Sequence, residues 1–165
     1  MNDLPEKNSA DSYVIEVIPK RGVKDTLALD VAGSLKHLHI HSSPRVTTAK
    51  LYRLNGDLSP DDRQRIGREL LSDPVVEEAH EDSPAAPKKA AKSVIVDVWF
   101  KPGVTDVVGE SVLKGLRDMQ MNQVNDVRTG TRYRFWGLKH LKTADKLALA
   151  LLMNPLIHER SIYAD

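Results

Sequence analysis

The 165-residue chain has no cysteine. That excludes disulfides, a thiol nucleophile and any cysteine-ligated metal. Aromatic residues are scarce, at 5% of the chain. Tyr133, Phe135 and Trp136 are bunched at the end of one segment, so the aromatic pattern of an RNA-recognition sheet is missing. Charge of one sign is lacking as well. A formal net charge of +1 makes no general electrostatic case for nucleic acid or an anionic membrane. No stretch approaches the ~18 apolar residues of a membrane span. The polar start from Met1 to Ser12 has no apolar signal-peptide core. Phosphate-loop and nucleophile-elbow motifs are absent too. The expectation is a soluble cytoplasmic protein without a cofactor, a metal or a catalytic constellation.

What is present is a repeat with a fixed offset of 81 residues, unbroken from Val14 to Glu78. Lys20-Arg21-Gly22-Val23-Lys24-Asp25 returns as Lys101-Pro102-Gly103-Val104-Thr105-Asp106. Leu71-Ser72-Asp73-Pro74-Val75-Val76 returns as Leu152-Met153-Asn154-Pro155-Leu156-Ile157. A fixed period means one structural unit used twice, so every residue can be compared with its twin. A unit of roughly 60–70 residues buries too little surface to be secure alone. The two copies are therefore expected to pack together.

Each unit reads β-α-β-α-β. Residues 13–18 and their twins 94–100 are short β-rich runs. Gly22 and Gly103 mark turns, and Asp25 and Asp106 suit helix N-caps. The helix that follows carries an apolar stripe of Leu27, Val31, Leu35 and Leu38, matched by Val108, Val112, Leu116 and Met119. Small residues pair as Ala28 with Gly109 and Ser34 with Gly115, which predicts close approach of another element. A long extended segment comes next, 44–54 and 125–135. A second helix starts at Ser59-Pro60, and a last strand follows Pro74 (Val75, Val76) and Pro155 (Leu156, Ile157). Residues 1–12 are expected to be a disordered N-terminus, 13–80 the first unit, 81–92 a Pro- and Ala-rich linker and 93–165 the second unit. The fold class is α+β, with helices on one face of antiparallel sheets, and the two sheets are expected to pack about a pseudo-twofold axis.

Three features carry candidate chemistry. His37, His39 and His41 have metal-ligand spacing on a strand, but their twins Asp118, Gln120 and Asn122 are merely polar, so a solvated helix end is expected. The Lys-x-Gly-Val-x-Asp loop places Lys101, Gly103 and Asp106 before a helix N-terminus, where free amides can meet a phosphate; turn and cap also account for it. Arg128, Gly130, Arg132 and Arg134 fall on one face of the second unit's long strand at period two. Guanidinium forks suit carboxylates and phosphates. In the first unit these positions are Thr47, Ala49, Leu51 and Arg53, so a ligand or partner is expected on the second copy.

The second unit resembles the PurS subunit of phosphoribosylformylglycinamidine synthase. The resemblance rests on the ordered series 101–106, Gly109, 125–130 and Leu151-Leu152-Met153-Asn154-Pro155-Leu156-Ile157. The first unit is similar but more diverged. The family's lysine after Val-Arg-x-Gly stands here as Thr131, and the first unit keeps Lys50 at that place. The resemblance implies a non-catalytic subunit that bridges the synthetase PurL and the glutaminase PurQ in purine biosynthesis. It further implies a tandem pseudodimer, similar to the N-terminal region of single-chain PurL. The expected partner- or substrate-binding set is Arg128, Gly130, Arg132, Arg134, Lys101, Gly103, Asp106 and Asn154. A different class, a tandem small-molecule-sensing module, has similar α+β architecture.

Overall fold

The computed structural model of the chain describes residues 12–37, 44–81 and 93–164. The six strands are β1 (Ser12–Pro19), β2 (Arg45–Gly56), β3 (Glu77–Glu81), β4 (Ser93–Phe100), β5 (Val124–Trp136) and β6 (His158–Ala164). The helices are α1 (Thr26–His37), α2 (Pro60–Ile66), α3 (Val107–Asp118) and α4 (Leu141–Leu147). Ser12 and Glu81, assigned above to flanking segments, belong to strands. The rest of the expected N-terminus and linker lies outside the described residues, as do His39 and His41.

The α+β architecture is as expected. The two expected sheets, however, are one six-stranded antiparallel sheet in the order β3-β1-β2-β5-β4-β6. The long central strands β2 and β5 pair with each other from Arg45↔Trp136 to Gly56↔Val124. Their length is the reason for the fusion. Pairing covers the long edges that β2 and β5 would otherwise present with open hydrogen-bonding groups. Lys50 lies directly opposite Thr131 in this ladder. These two residues are also twins, 81 apart, so the pseudo-twofold axis passes between them.

The helices cover one face. Asp25 Oδ1 accepts the Ala28 N–H at 2.9 Å, and its Oδ2 accepts the Thr48 N–H at 2.8 Å. Asp106 repeats this with Gly109 at 2.8 Å and Thr129 at 2.6 Å. Each aspartate therefore caps its helix and also ties that helix to the long strand. The approach is so close that a Cβ on Gly109 would lie 2.7 Å from the Val127 carbonyl. This corrects the apolar stripe. Its inner positions are Ala28, Val31 and Leu35, and Gly109, Val112 and Leu116. Leu27 and Val108 are exposed, at 42% and 53%, because only small residues fit beside the strand.

Each long helix is buried in a cluster built mostly from the other unit. Val31 and Leu35 join Val96, Phe135 and Leu147. Val112 and Leu116 join Ile15, Tyr52 and Ile66. Gly115 is where Leu70 of the first unit enters, since a Cβ there would lie 2.6 Å from Leu70 Cδ1. The small-residue pairing thus marks a crossing between the units at Gly115. Helices α2 and α4 each continue into a π-helical turn, Gly67–Leu71 and Ala148–Leu152, which the periodicity does not reveal. The last strands begin later than expected. Val75 and Leu156 are in turns and exposed, at 78% and 81%, held by the side chains of Asp73 and Asn154 accepting from their N–H groups.

Leu116 is fully buried and Leu35 nearly so. Replacing either with alanine is expected to cost ~2–5 kcal/mol. Because each cluster spans both units, urea unfolding of either variant should remain a single transition. Two separated transitions, or a midpoint equal to that of the parent, would show that the units do not share their cores.

Candidate functional site

The opposite face of the sheet has no helix among the described residues. In the register of β2 and β5 it carries Arg128, Gly130, Arg132 and Arg134 in line, facing Arg53, Leu51, Ala49 and Thr47. Gly130 is overlaid by Trp99, whose ring would lie 2.7 Å from a Cβ at that position. The Arg53 guanidinium stacks on the same ring at 4.4 Å. Burial and the neighbouring Arg128 pull the Arg53 guanidinium below its usual range.

The arginines of the stripe have separate surroundings. Arg128 donates to the Phe100 carbonyl and to Glu159 at 2.7 Å. Arg132 is 4% exposed. It binds Asp97 through two parallel hydrogen bonds of 2.8 and 2.9 Å. The Tyr163 hydroxyl accepts from Arg132 at 2.9 Å and donates to Asp97 at 2.9 Å. Glu16 stands 3.4 Å from the same guanidinium. Glu16 and Asp97 are twins, while the twin of Arg132 is Leu51. One buried arginine therefore serves the equivalent acids of both units. Arg134 is half-buried and lies over Trp136, 5.9 Å from its ring centre.

The remaining candidates gather at the far end of the second unit. Lys101 donates to the Pro155 carbonyl at 2.6 Å, closing the loop between β4 and α3 onto the turn before β6. Gly103 adopts φ +81°, which a glycine reaches without strain. The Asn154 side chain accepts from Leu156 N–H at 3.0 Å, and the Asn154 backbone N–H donates to His158 Nδ1 at 3.1 Å. Arg128 reaches the same end through Phe100, whose ring contacts His158 at 4.8 Å. Arg128, Lys101 and Asn154 are thus brought together. Asp106 is on the helix side as a cap, Arg132 is held between Asp97 of the second unit and Glu16 of the first, and Arg134 lies over Trp136. Among the described residues no group of three or more His, Asp or Glu side chains could hold a metal ion.

Reading the stripe alone misses a cleft of about 560 Å³ at the junction of the units. It lies between the loop after β1 and the end of β5. Lys20, Arg21, Arg45, Arg134 and Trp136 are among its lining residues. Arg45 stacks over Trp136 at 5.1 Å. The signal was in the repeat: Arg21 stands opposite Pro102, and Arg45 opposite Asp126.

Residues 93–164 match the family model PurS: Phosphoribosylformylglycinamidine (FGAM) synthase. No curated protein gives a significant match to the chain. No helix among the described residues is long and apolar enough to cross a membrane.

Two substitutions test the electrostatics. Arg132→Leu introduces the residue found at its twin position, but it leaves the buried Asp97 and the half-buried Glu16 without their cation. Removing one partner of a buried pair costs ~3–5 kcal/mol, so the denaturation midpoint should fall sharply. A variant as stable as the parent would mean that the cluster contributes nothing. The second concerns His158, which burial holds below the ordinary value of 6.5. Its Nδ1 accepts the Asn154 N–H, so the neutral ring is the folded form. The stabilisation is complete above pH 6.5 and is lost as pH falls through the depressed folded value. The melting temperature should therefore drop on acidification from about pH 7 to 5, and His158→Phe should flatten that slope. Equal slopes in the two proteins would exclude this role.

Proposed function

We propose, on the premise that residues 93–164 are a PurS-like domain, that this chain is a non-catalytic assembly subunit of phosphoribosylformylglycinamidine synthase. In this reading the first unit is a second PurS-like copy, and one chain replaces a pair of single-unit subunits. It bridges a PurL-type synthetase and a PurQ-type glutamine amidotransferase in the cytoplasm. The observation that carries this is the β2–β5 ladder with its axis at Lys50 and Thr131. Two units fused across such an axis have the arrangement of a dimer within one polypeptide.

The partner surface in this reading is the end of the second unit where Arg128, Lys101 and Asn154 meet. Those residues hold the loop and turn in fixed positions, and the exposed Leu156 projects beside them. A pre-ordered polar rim around an apolar residue is the pattern of a protein-binding site. The family match over residues 93–164 supports a role in purine biosynthesis.

Native mass spectrometry of the chain mixed with the synthetase and the glutaminase tests the reading. One chain per synthetase is expected, and Arg128→Ala should lower the assembled fraction. Two chains per synthetase would sink the pseudodimer reading, and no assembly at all would sink the subunit reading.

A further inference from the structure

The pseudo-twofold axis makes the junction cleft comparable with its twin at the other end of β2 and β5. Five basic and two acidic side chains line the cleft, one of the five being Arg132, which is already bound to Asp97; the twin positions carry three of each. The twin is also filled. Trp99 lies across Gly130 there, with Arg53 stacked on the ring. In the cleft the smaller Ile18 stands at the position of Trp99, and Ala49 at that of Gly130. Arg134, the twin of Arg53, lines the opening left in this way. Two independent changes, loss of the filling ring and gain of basic residues, thus coincide at one end of the sheet.

The chemistry of the lining defines what would enter. Arg21 and Arg45 are exposed, and no carboxylate among the described residues forms an ion pair with either. Several cations converging on one concavity favour a compact anion of more than one charge. A guanidinium presents the forked donors that a phosphate accepts. Beside them runs an apolar wall of Ile18, Pro19, Val23 and Trp136. A volume of about 560 Å³ is within the usual range for a small-molecule site.

We propose that this cleft binds a small phosphate ester of nucleoside monophosphate size. Its phosphate sits against Arg21, Arg45 and Arg134, and its organic part lies along the Ile18–Val23 wall. The site belongs to the junction, because the first unit supplies the loop and the second supplies Arg134 and Trp136. It stands apart from the Arg128 end and does not depend on the assembly role.

The two tryptophans provide an internal comparison. Trp136 lines the cleft, and Trp99 is buried in the filled twin. Nitrogen–proton correlation spectra of the whole chain would be titrated separately with AMP, inorganic phosphate and adenosine, with the indole signals assigned through Trp136→Phe. The expected result is a shift of the Trp136 indole by AMP, a weaker one by phosphate, and none by adenosine. Arg21→Ala and Arg45→Ala should each weaken AMP binding about tenfold or more, as loss of a charged hydrogen bond does. Lys114→Ala on the exposed side of α3 should leave it unchanged. Adenosine binding as well as AMP, an AMP affinity untouched by both arginine variants, or no shift with any of the three would overturn the proposal. So would a response to a polyglutamate peptide alone, which would make the cleft a protein-docking surface. Arginine variants that lose AMP but still assemble with the synthetase leave the subunit reading standing. A parent chain that binds AMP but never assembles removes that reading and keeps the cleft.

Discussion

The ladder between β2 and β5 is the constraint on which the rest of the structure depends. It turns two three-stranded sheets into one and sets the axis at Lys50 and Thr131. It also places each long helix over residues of the opposite half, so neither apolar cluster is complete within one unit. Slipping the ladder by one residue would exchange its faces. Tyr52 and Leu54 would leave the helix side, and the arginines would enter it. The bulge at its end needs a glycine, because a Cβ on Gly56 would lie 2.3 Å from the Gln123 carbonyl. Helix capping reinforces the same register, since Asp25 and Asp106 can reach Thr48 and Thr129 only when the long strands lie where they do.

Carrying both units in one chain releases this arrangement from exact symmetry. In a true homodimer a residue on the axis faces its own copy, and a lysine there would oppose a lysine, which is unfavourable in a sheet. Here Lys50 faces Thr131 and is neutralised by Glu77 at 2.6 Å. That carboxylate, as hydrogen-bond partner, holds the Lys50 ammonium above its usual range. The Arg132 cluster uses the same freedom. Two equivalent acids share a single guanidinium, and the second guanidinium position is Leu51, fully buried. A second arginine at that position would introduce another cation into the same buried region.

Much of the fold was legible because the repeat supplies a second reading of every position. The caps, the turn glycines and the two-residue alternation of the long strands all follow from local chemistry. Strand pairing does not, since alternation shows which side chains share a face but not which edges meet. The single sheet could therefore not be distinguished from two. The same limit applies to the candidate site. That Arg128, Arg132 and Arg134 share a face follows from spacing alone. That Arg132 is enclosed by Asp97 of β4, Glu16 of β1 and Tyr163 of β6 requires the strand order. The stripe positions of Leu27 and Val108 failed for a steric reason, the closeness of strand to helix at Ala28 and Gly109. The cleft left a trace in the sequence, because Arg45 opposite Asp126 reverses charge between twins, but its meaning needed the two ends of the sheet side by side.

Covalent fusion also changes how the pair can present itself to a partner. Linked units associate at a fixed effective concentration, so their pairing does not depend on dilution. A homodimer with identical ends can approach an asymmetric partner in two equivalent orientations. This chain cannot, because one end of the central strands is an open cleft with an excess of basic residues and the other is closed by Trp99. Uneven charge of this kind orients a molecule during encounter, before any contact is formed. The net charge of the chain, close to zero, hides the effect entirely. What matters is that acids and bases are distributed differently between twin positions, and the axis at Lys50 and Thr131 is what makes that difference a direction.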